Sequence, residues 1–248
     1  MRLRGVSILF AWACLSIAGL AQDISGTIII KKKLTRPSIT ASVPLYQRGT
    51  AVKLGKRGED DPVAYERSRV VVYLEGQFAA TDAAASSAPQ EIRQVDRSFL
   101  PELVVIPAGS TVSFPNMDPI FHNIYSLSKV KTFDLGTYDK GETRRVVFPK
   151  AGIVEVYCHL HPNMAATVVV APSRFFAQPD RNGQYHIPNV PPGHYTLVAW
   201  HKSAGYFRKP IDVTAEQSTT ADFFIPLDLD SKQEAQRDHN LAQAAELR

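Results

Sequence analysis

Seven consecutive residues, Cys158-His159-Leu160-His161-Pro162-Asn163-Met164, carry more chemistry than any other stretch of this 248-residue chain. They follow an apolar run in which Val154, Val156 and Cys158 share one face by the two-residue strand period, so the thiol points into a core at the strand's end. A tight loop then returns His161 and Met164 toward the same point, with Pro162 removing backbone freedom between them. A second imidazole comes from Phe114-Pro115-Asn116-Met117-Asp118-Pro119-Ile120-Phe121-His122-Asn123, where a strand ends in a turn-rich loop. The amide of Asn123 can tie the two loops together by hydrogen bonds. Thiolate, two imidazoles and a weak axial thioether make a blue-copper donor set. Soft sulfur favours Cu(I), imidazole suits Cu(II), and a site that fits both states exchanges electrons without an open coordination position. Zinc fits less well, because it seldom takes a thioether and usually recruits a third His, a second Cys or a carboxylate. His159 alternates out of the Cys158 face and is expected toward solvent; Met117 is expected to pack and not to bind metal.

The start of the chain sharpens the question of the thiol. Residues 1–21 read as a secretory signal, with Arg2 and Arg4, an apolar run from Gly5 to Leu20 and a small residue, Ala21, at the cleavage position. A transmembrane anchor is the alternative, but the run is short and interrupted by Ser7, Ser16 and Gly19. Cleavage removes Cys14 and leaves Cys158 alone in an oxidising compartment, where cysteines normally occur in pairs. Such a thiol must be buried, used to form a dimer, or held by a metal. The expected location is periplasmic or secreted, with membrane attachment only if the leader is retained. The formal net charge is +4, with Arg2 and Arg4 contributing two of those charges, which is too weak a balance to argue for nucleic acid. With 44% hydrophobic and 21% charged residues, neither global disorder nor a polytopic membrane protein fits.

The elements that must position these donors are strands. Short β-branched runs bounded by Gly, Pro, Asn and Asp predict an all-β fold, with strands over 26–30, 70–74, 103–106, 111–114, 144–148, 154–158, 166–170, 183–187, 195–200 and 210–213. That number suggests two packed β units. Residues 31–69, with ten Lys or Arg against four Asp or Glu, and the small-residue stretch 76–90 read as exposed loops. The basic segment could also steer an acidic partner. The polar tail 228–248 reads as a frayed helix or as disordered.

At this point the sequence resembles the cupredoxin family. Cys158, His161 and Met164 have the Cys-x2-His-x2-Met spacing of its short-loop, amicyanin-like members, and Gly152 lies six residues before Cys158, as in the family's G-x-Y-x-F-Y-C strand. Val154 and Val156 replace the usual aromatics. The stretch from Phe99 to Asn116, FLPELVVIPAGSTVSFPN, followed by His122-Asn123, matches the family's F-x-P, G-x-x-V-x-F-x-N and H-N segments. The resemblance covers about residues 92–172. It implies a Greek-key β-sandwich holding one type 1 copper through His122, Cys158, His161 and Met164. Asn123 would support the ligands from behind, and His161 would be the partly exposed ligand through which the electron leaves.

Residues 175–225 carry a second pattern, the turn Asp180-Arg181-Asn182-Gly183, then Pro191-Pro192-Gly193-His194-Tyr195, and later Gly205-Tyr206. This resembles the carboxypeptidase regulatory-like, transthyretin-like β-sandwich. The opening strands of that sandwich match Gly26-Thr27-Ile28-Ile29-Ile30 and Val70-Val71-Val72-Tyr73-Leu74, far upstream. The expected organisation therefore nests a cupredoxin domain, 88–172, inside a sandwich made of 23–80 and 173–227; two consecutive domains are the alternative. The order resembles proteins labelled methylamine utilization proteins, which implies electron transfer with a periplasmic redox protein such as a dehydrogenase or cytochrome. His186, His194 and His201 could make another metal site, although strand alternation separates His194 from His201. Tyr195 and Trp200 could stack on a sugar, but alternation separates them as well. The expected function is a periplasmic single-electron carrier and not an enzyme, since His159 and His161 form the chain's one His-x-His pair, whereas multicopper enzymes need several. The competing readings are an extracytoplasmic structural or carbohydrate-binding sandwich, or a copper storage or delivery protein.

Overall fold

The computed structural model describes residues 21–31, 34, 63–79, 82 and 89–225. Residues 1–20 of the signal expected over 1–21, most of the basic segment and the tail 228–248 lie outside the described residues. In chain order the elements are β1 (Gln22–Ile30), the four-residue helix α1 (Ala64–Arg67), β2 (Val70–Glu75), β3 (Gln90–Glu91), β4 (Arg93–Val95), β5 (Ser98–Leu100), β6 (Leu103–Pro107) and β7 (Thr111–Pro115). There follow β8 (His122–Ser128), β9 (Lys131–Tyr138), β10 (Thr143–Val147), β11 (Gly152–Tyr157), β12 (Ala165–Ala171) and β13 (Phe176–Ala177). The last are β14 (Gln184–Val190), β15 (Gly193–His201), β16 (Gly205–Val213), β17 (Thr219–Thr220) and β18 (Phe223–Ile225). The all-β expectation holds, and each of the ten expected strands has its counterpart. Two long strands were not expected, β8 and β9, and His122, at the far end of the turn-rich loop, opens the first of them.

The central residues pair as one five-stranded sheet, β6-β12-β11-β8-β9, and a three-stranded sheet, β10-β7-β3, with the hairpin β4-β5 beside them. Their shared core includes Phe99, Phe114, Ile124, Val154, Val156, Phe148 and Val168, together with Cys158 and Met164. The flanking residues pair as β14-β1-β17, with β18 also on β1, and as β13-β2-β15-β16. Their core includes Ile24, Ile28, Val72, Leu74, Leu197 and Phe223. Strands β1 and β2 thus pair with strands more than 100 residues later, Ile24 opposite Ile187 and Leu74 opposite Leu197.

The most apolar strands are those buried on both faces, as expected for runs without alternation. On β12, Ala166, Val168 and Val170 face the central core, while Val169 and Ala171 face the other way. There they meet Val71 and Tyr73 of β2 and Val198 and Trp200 of β15 in a third cluster that joins the two sets of sheets. Lys202, which pairs with Glu155, and Arg69, which pairs with Glu102, add polar links across the same boundary. The Asp180–Gly183 turn forms as predicted: the Asp180 carboxylate accepts the Asn182 and Gln184 N–H groups. Gly183, at φ +87°, brings its Cα so near Ile28 that a Cβ would sit 2.4 Å from the Ile28 carbonyl oxygen. The 76–90 stretch departs from a simple exposed loop, because Phe78 stacks on Tyr195 and the buried Asp82 pairs with Arg174.

Candidate metal centre

The loop between β7 and β8 is organised by Asn116, which is fully buried. Its side-chain oxygen accepts the Asp118 N–H, a turn that Asn favours, and its Nδ2 donates to the carbonyls of Ile120 and Tyr138. This delivers the Asp118 carboxylate to His122, whose Nε2 lies 2.8 Å from Asp118 Oδ2. Burial pushes the Asp118 carboxyl up, but the Arg97 N–H, His122 and the Asp96 N–H together hold it below its ordinary value. An ionised carboxylate only accepts, so the His122 proton sits on Nε2 and the Nδ1 lone pair is left for another partner. That partner is Cys158, with Nδ1 3.9 Å from Sγ. Asp118 also tethers the β4-β5 hairpin, whose two turn residues, Asp96 and Arg97, are both left-handed at φ 51° and 56° and give their N–H groups to this carboxylate.

The cysteine loop closes on its own backbone. Strand β11 buries Val154 and Val156 and leads into Cys158, which is 4% exposed. The Met164 N–H donates to the His161 carbonyl at 3.0 Å, and the Cys158 N–H donates to the Met164 carbonyl at 3.3 Å. His161 is thereby turned inward, its Nδ1 3.8 Å from Cys158 Sγ. Met164 is 1% exposed and lies in the same core cluster as Cys158.

The donor atoms of His122, Cys158 and His161 all lie within 4.8 Å of one another. Bonds of about 2.0–2.3 Å from nitrogen and sulfur to a first-row metal, opened to a trigonal angle, separate N from S by roughly 3.6–3.8 Å. The observed separations, 3.8 and 3.9 Å, lie at the upper end of that range and just beyond it. Burial, helped by His122 and Arg97, holds the His161 imidazole below its ordinary value, which keeps the neutral, ligating form. Two imidazoles and a soft thiol are a donor set suited to copper. Cys158 is buried and free of any disulfide.

The residues flanking the donors meet on a carboxylate that the sequence reading missed. Asn123 does not reach the cysteine loop directly; its Nδ2 donates to Asp134 Oδ1 on β9 at 2.6 Å. His159, expected toward solvent, is half exposed, lies 3.5 Å from Asp134 Oδ2 and stacks on Tyr125. The Gly136 N–H, Asn123 and His159 hold the Asp134 carboxyl below its ordinary value, against a small opposing effect of burial. Met117 is 52% exposed, which corrects the expectation that it packs: the turn held by Asn116 directs it outward. Asp118 was missed as well: it stands only four residues before His122, a local spacing that could have pointed to it, whereas Asp134 carried no local signal.

Among the described residues, the remaining histidines do not converge. His186 pairs with Asp23, His194 with Asp212, and His201 with Glu66. Tyr195 and Trp200 are buried in different clusters, so they form no shared platform for a sugar.

A family model described as polysaccharide lyase family 4, domain II, matches residues 170–221. That name differs from the carboxypeptidase regulatory-like one suggested by the turn motifs. No curated protein matches the chain in sequence. Among solved structures, the chain is similar to a purple cupredoxin from Nitrosopumilus maritimus, at 26% identity over 33% of this chain and 99% of that one, with a TM-score of 0.31. It is similar to a copper-containing nitrite reductase from Thermus scotoductus SA-01, at 26% identity over 38% of this chain and only 25% of that one, with a TM-score of 0.33. The amicyanin of Paracoccus versutus is matched at 20% identity over 42% of this chain and 98% of that one, with a TM-score of 0.32.

Proposed function

We propose that the chain is a mononuclear type 1 copper protein that carries single electrons between redox partners and is not itself an enzyme. The observation that supports this reading is the buried convergence of His122 Nδ1, Cys158 Sγ and His161 Nδ1, with the His122 tautomer set by Asp118. Met164 is the weak fourth donor. Copper in this site would supply one-electron exchange between Cu(I) and Cu(II). The chain's part is to keep water from the buried Cys158 and His122 and to hold the donors still. His161 is the donor nearest solvent, and half-exposed Leu160 and Phe121 flank the donor positions. Such apolar side chains give a partner a dry contact.

In this reading the partner is a periplasmic redox protein such as a dehydrogenase or cytochrome, and the leader over 1–21 delivers the chain to the periplasm or outside the cell. Among the described residues, no helix is long and apolar enough to cross a membrane. The domain organisation we infer is nested, with the copper unit 88–172 inserted into a carboxypeptidase regulatory-like sandwich of 23–80 and 173–227. The pairing of β1 and β2 with β14 and β15 supports it.

Titrating the full chain with Cu(II) tests the assignment. One equivalent is expected to produce an intense visible thiolate band, and Cys158→Ser is expected to abolish that band while circular dichroism stays that of the folded protein. A Cys158→Ser protein that remains coloured contradicts the ligand set, and colourless binding by the unaltered chain points to storage or delivery.

A further inference from the structure

We propose that Asp134 is a positioning residue that locks the two donor loops to one another. The proposal deepens the copper reading above, and rests on it only for its spectroscopic consequence. Asp134 belongs to neither loop. It stands on β9, the outer strand of the five-stranded sheet, yet each loop sends it the residue next to a donor: Asn123, which follows His122, and His159, which follows Cys158.

The carboxylate is itself fixed before it fixes anything else. Between Asn123 and Tyr125 the β8-β9 register shifts, so that Tyr125 faces Asp134 and Asn123 faces Thr137. The extra residue on β9 is accommodated where Gly136 adopts φ +67°. Bulges of this kind re-aim side chains, and here the Gly136 N–H donates to Asp134 Oδ1 at 2.9 Å. The same oxygen takes Asn123 Nδ2 at 2.6 Å. The Asn123 side chain is buried and its own oxygen has no partner, so among the described contacts its orientation depends on Asp134. The other oxygen faces His159 Nε2.

An exposed His–Asp pair would ordinarily hold little, because two mobile side chains must be ordered to make it. His159 is different, because its ring is already fixed by parallel stacking on Tyr125, with centroids 3.7 Å apart and planes within 2°. Tyr125 pairs across the sheet with Asp134 on one side and Tyr157 on the other, so the stack spans the strands that carry both donor loops. The pairs His194–Asp212 and His186–Asp23 have no such backing from the donor loops and serve as internal comparisons.

The test uses the full chain without metal and follows alkylation of the Cys158 thiol by N-ethylmaleimide, with peptide mass separating Cys158 from Cys14. Asp134→Ala is expected to speed labelling of Cys158 about tenfold through local opening of its loop, with the urea midpoint little changed. Asp134→Asn keeps an acceptor for Asn123 and Gly136 and is expected to restore most of the protection; Asp212→Ala is expected to leave the rate unchanged. In the copper-loaded protein, Asp134→Ala is further expected to shift and broaden the visible band. Labelling of Asp134→Ala at the unaltered rate overturns the proposal, and so does a rise that only tracks lost global stability. If the unaltered chain takes up no coloured copper, the copper reading fails, while the labelling ratio still decides the lock.

Discussion

Two buried histidines of this chain are held in nearly the same way and end in opposite circumstances. His122 and His201 are both fully buried, and each presents Nε2 to a buried carboxylate, Asp118 at 2.8 Å and Glu66 at 3.1 Å. The difference lies at the other ring nitrogen. His201 Nδ1 accepts the Ser203 N–H at 3.2 Å, so the ring is satisfied on both sides and welds α1 to the β15-β16 turn. Among the described residues, His122 Nδ1 meets no backbone donor, and it faces a thiol and, beyond it, a second imidazole. A carboxylate–histidine pair is therefore not in itself a sign of chemistry. What distinguishes the candidate metal centre is a ring nitrogen that faces a thiol in place of a backbone N–H, at a point where soft ligands converge.

The largest effect that would separate the two pairs comes from removing Glu66. Glu66→Ala leaves His201 buried and unpaired and frees the Leu34 N–H that Glu66 accepts, so stability is expected to fall by about 3 kcal/mol while the copper band stays as it was. A loss of colour in that variant would mean that the two regions are not independent. Next comes Asp118→Asn, which keeps an acceptor for His122 but removes the charge. Copper affinity is expected to drop roughly tenfold with little change in the urea midpoint, and an affinity equal to the original would show that the carboxylate serves the hairpin alone.

A smaller effect comes from acid. Burial, outweighing the pull of Glu66, holds the His201 imidazole below its ordinary value, and the Ser203 N–H on Nδ1 also favours the neutral ring; Arg69 acts in the same direction. The unfolded chain then binds the extra proton at higher pH than the folded one. Stability is therefore retained above about pH 6.5 and is lost as pH falls below it, toward the folded-state value. Urea midpoints at pH 7.5 and 5.5 should show this fall, and His201→Gln should reduce it; equal slopes in the two proteins would remove His201 as the cause. The smallest change is expected from Met164→Leu, which should keep the visible band and raise the reduction potential, measurable by voltammetry. A bleached variant would instead make Met164 a principal ligand.

How much of this was legible beforehand follows from how local each signal is. Cys158, His161 and Met164 lie within one loop, so their convergence could be read from spacing and strand alternation alone. His122 was identified, but its strand was not, because β8 buries polar residues, His122, Asn123 and Ser126, where an apolar alternation would be sought, and β9, the edge strand of its sheet, carries exposed polar residues such as Thr132 and Asp134. The apolar runs on β2, β12 and β15 signalled strands, yet nothing in a single sequence says that both faces are buried because two sets of sheets meet there. Asp134 and Glu66 escaped for the same reason: each acts on residues brought to it by sheet pairing, Glu66 across 135 positions of chain.

The proposed function requires that the three converging donors make one copper site that cycles between oxidation states. Its most direct test is to load the full chain with one equivalent of Cu(II), record the visible band, reduce with ascorbate and reoxidise with ferricyanide. An intense band is expected that bleaches on reduction and returns in full through repeated cycles, with copper still bound. A protein that takes up copper without colour, or that releases it on reduction, would contradict it.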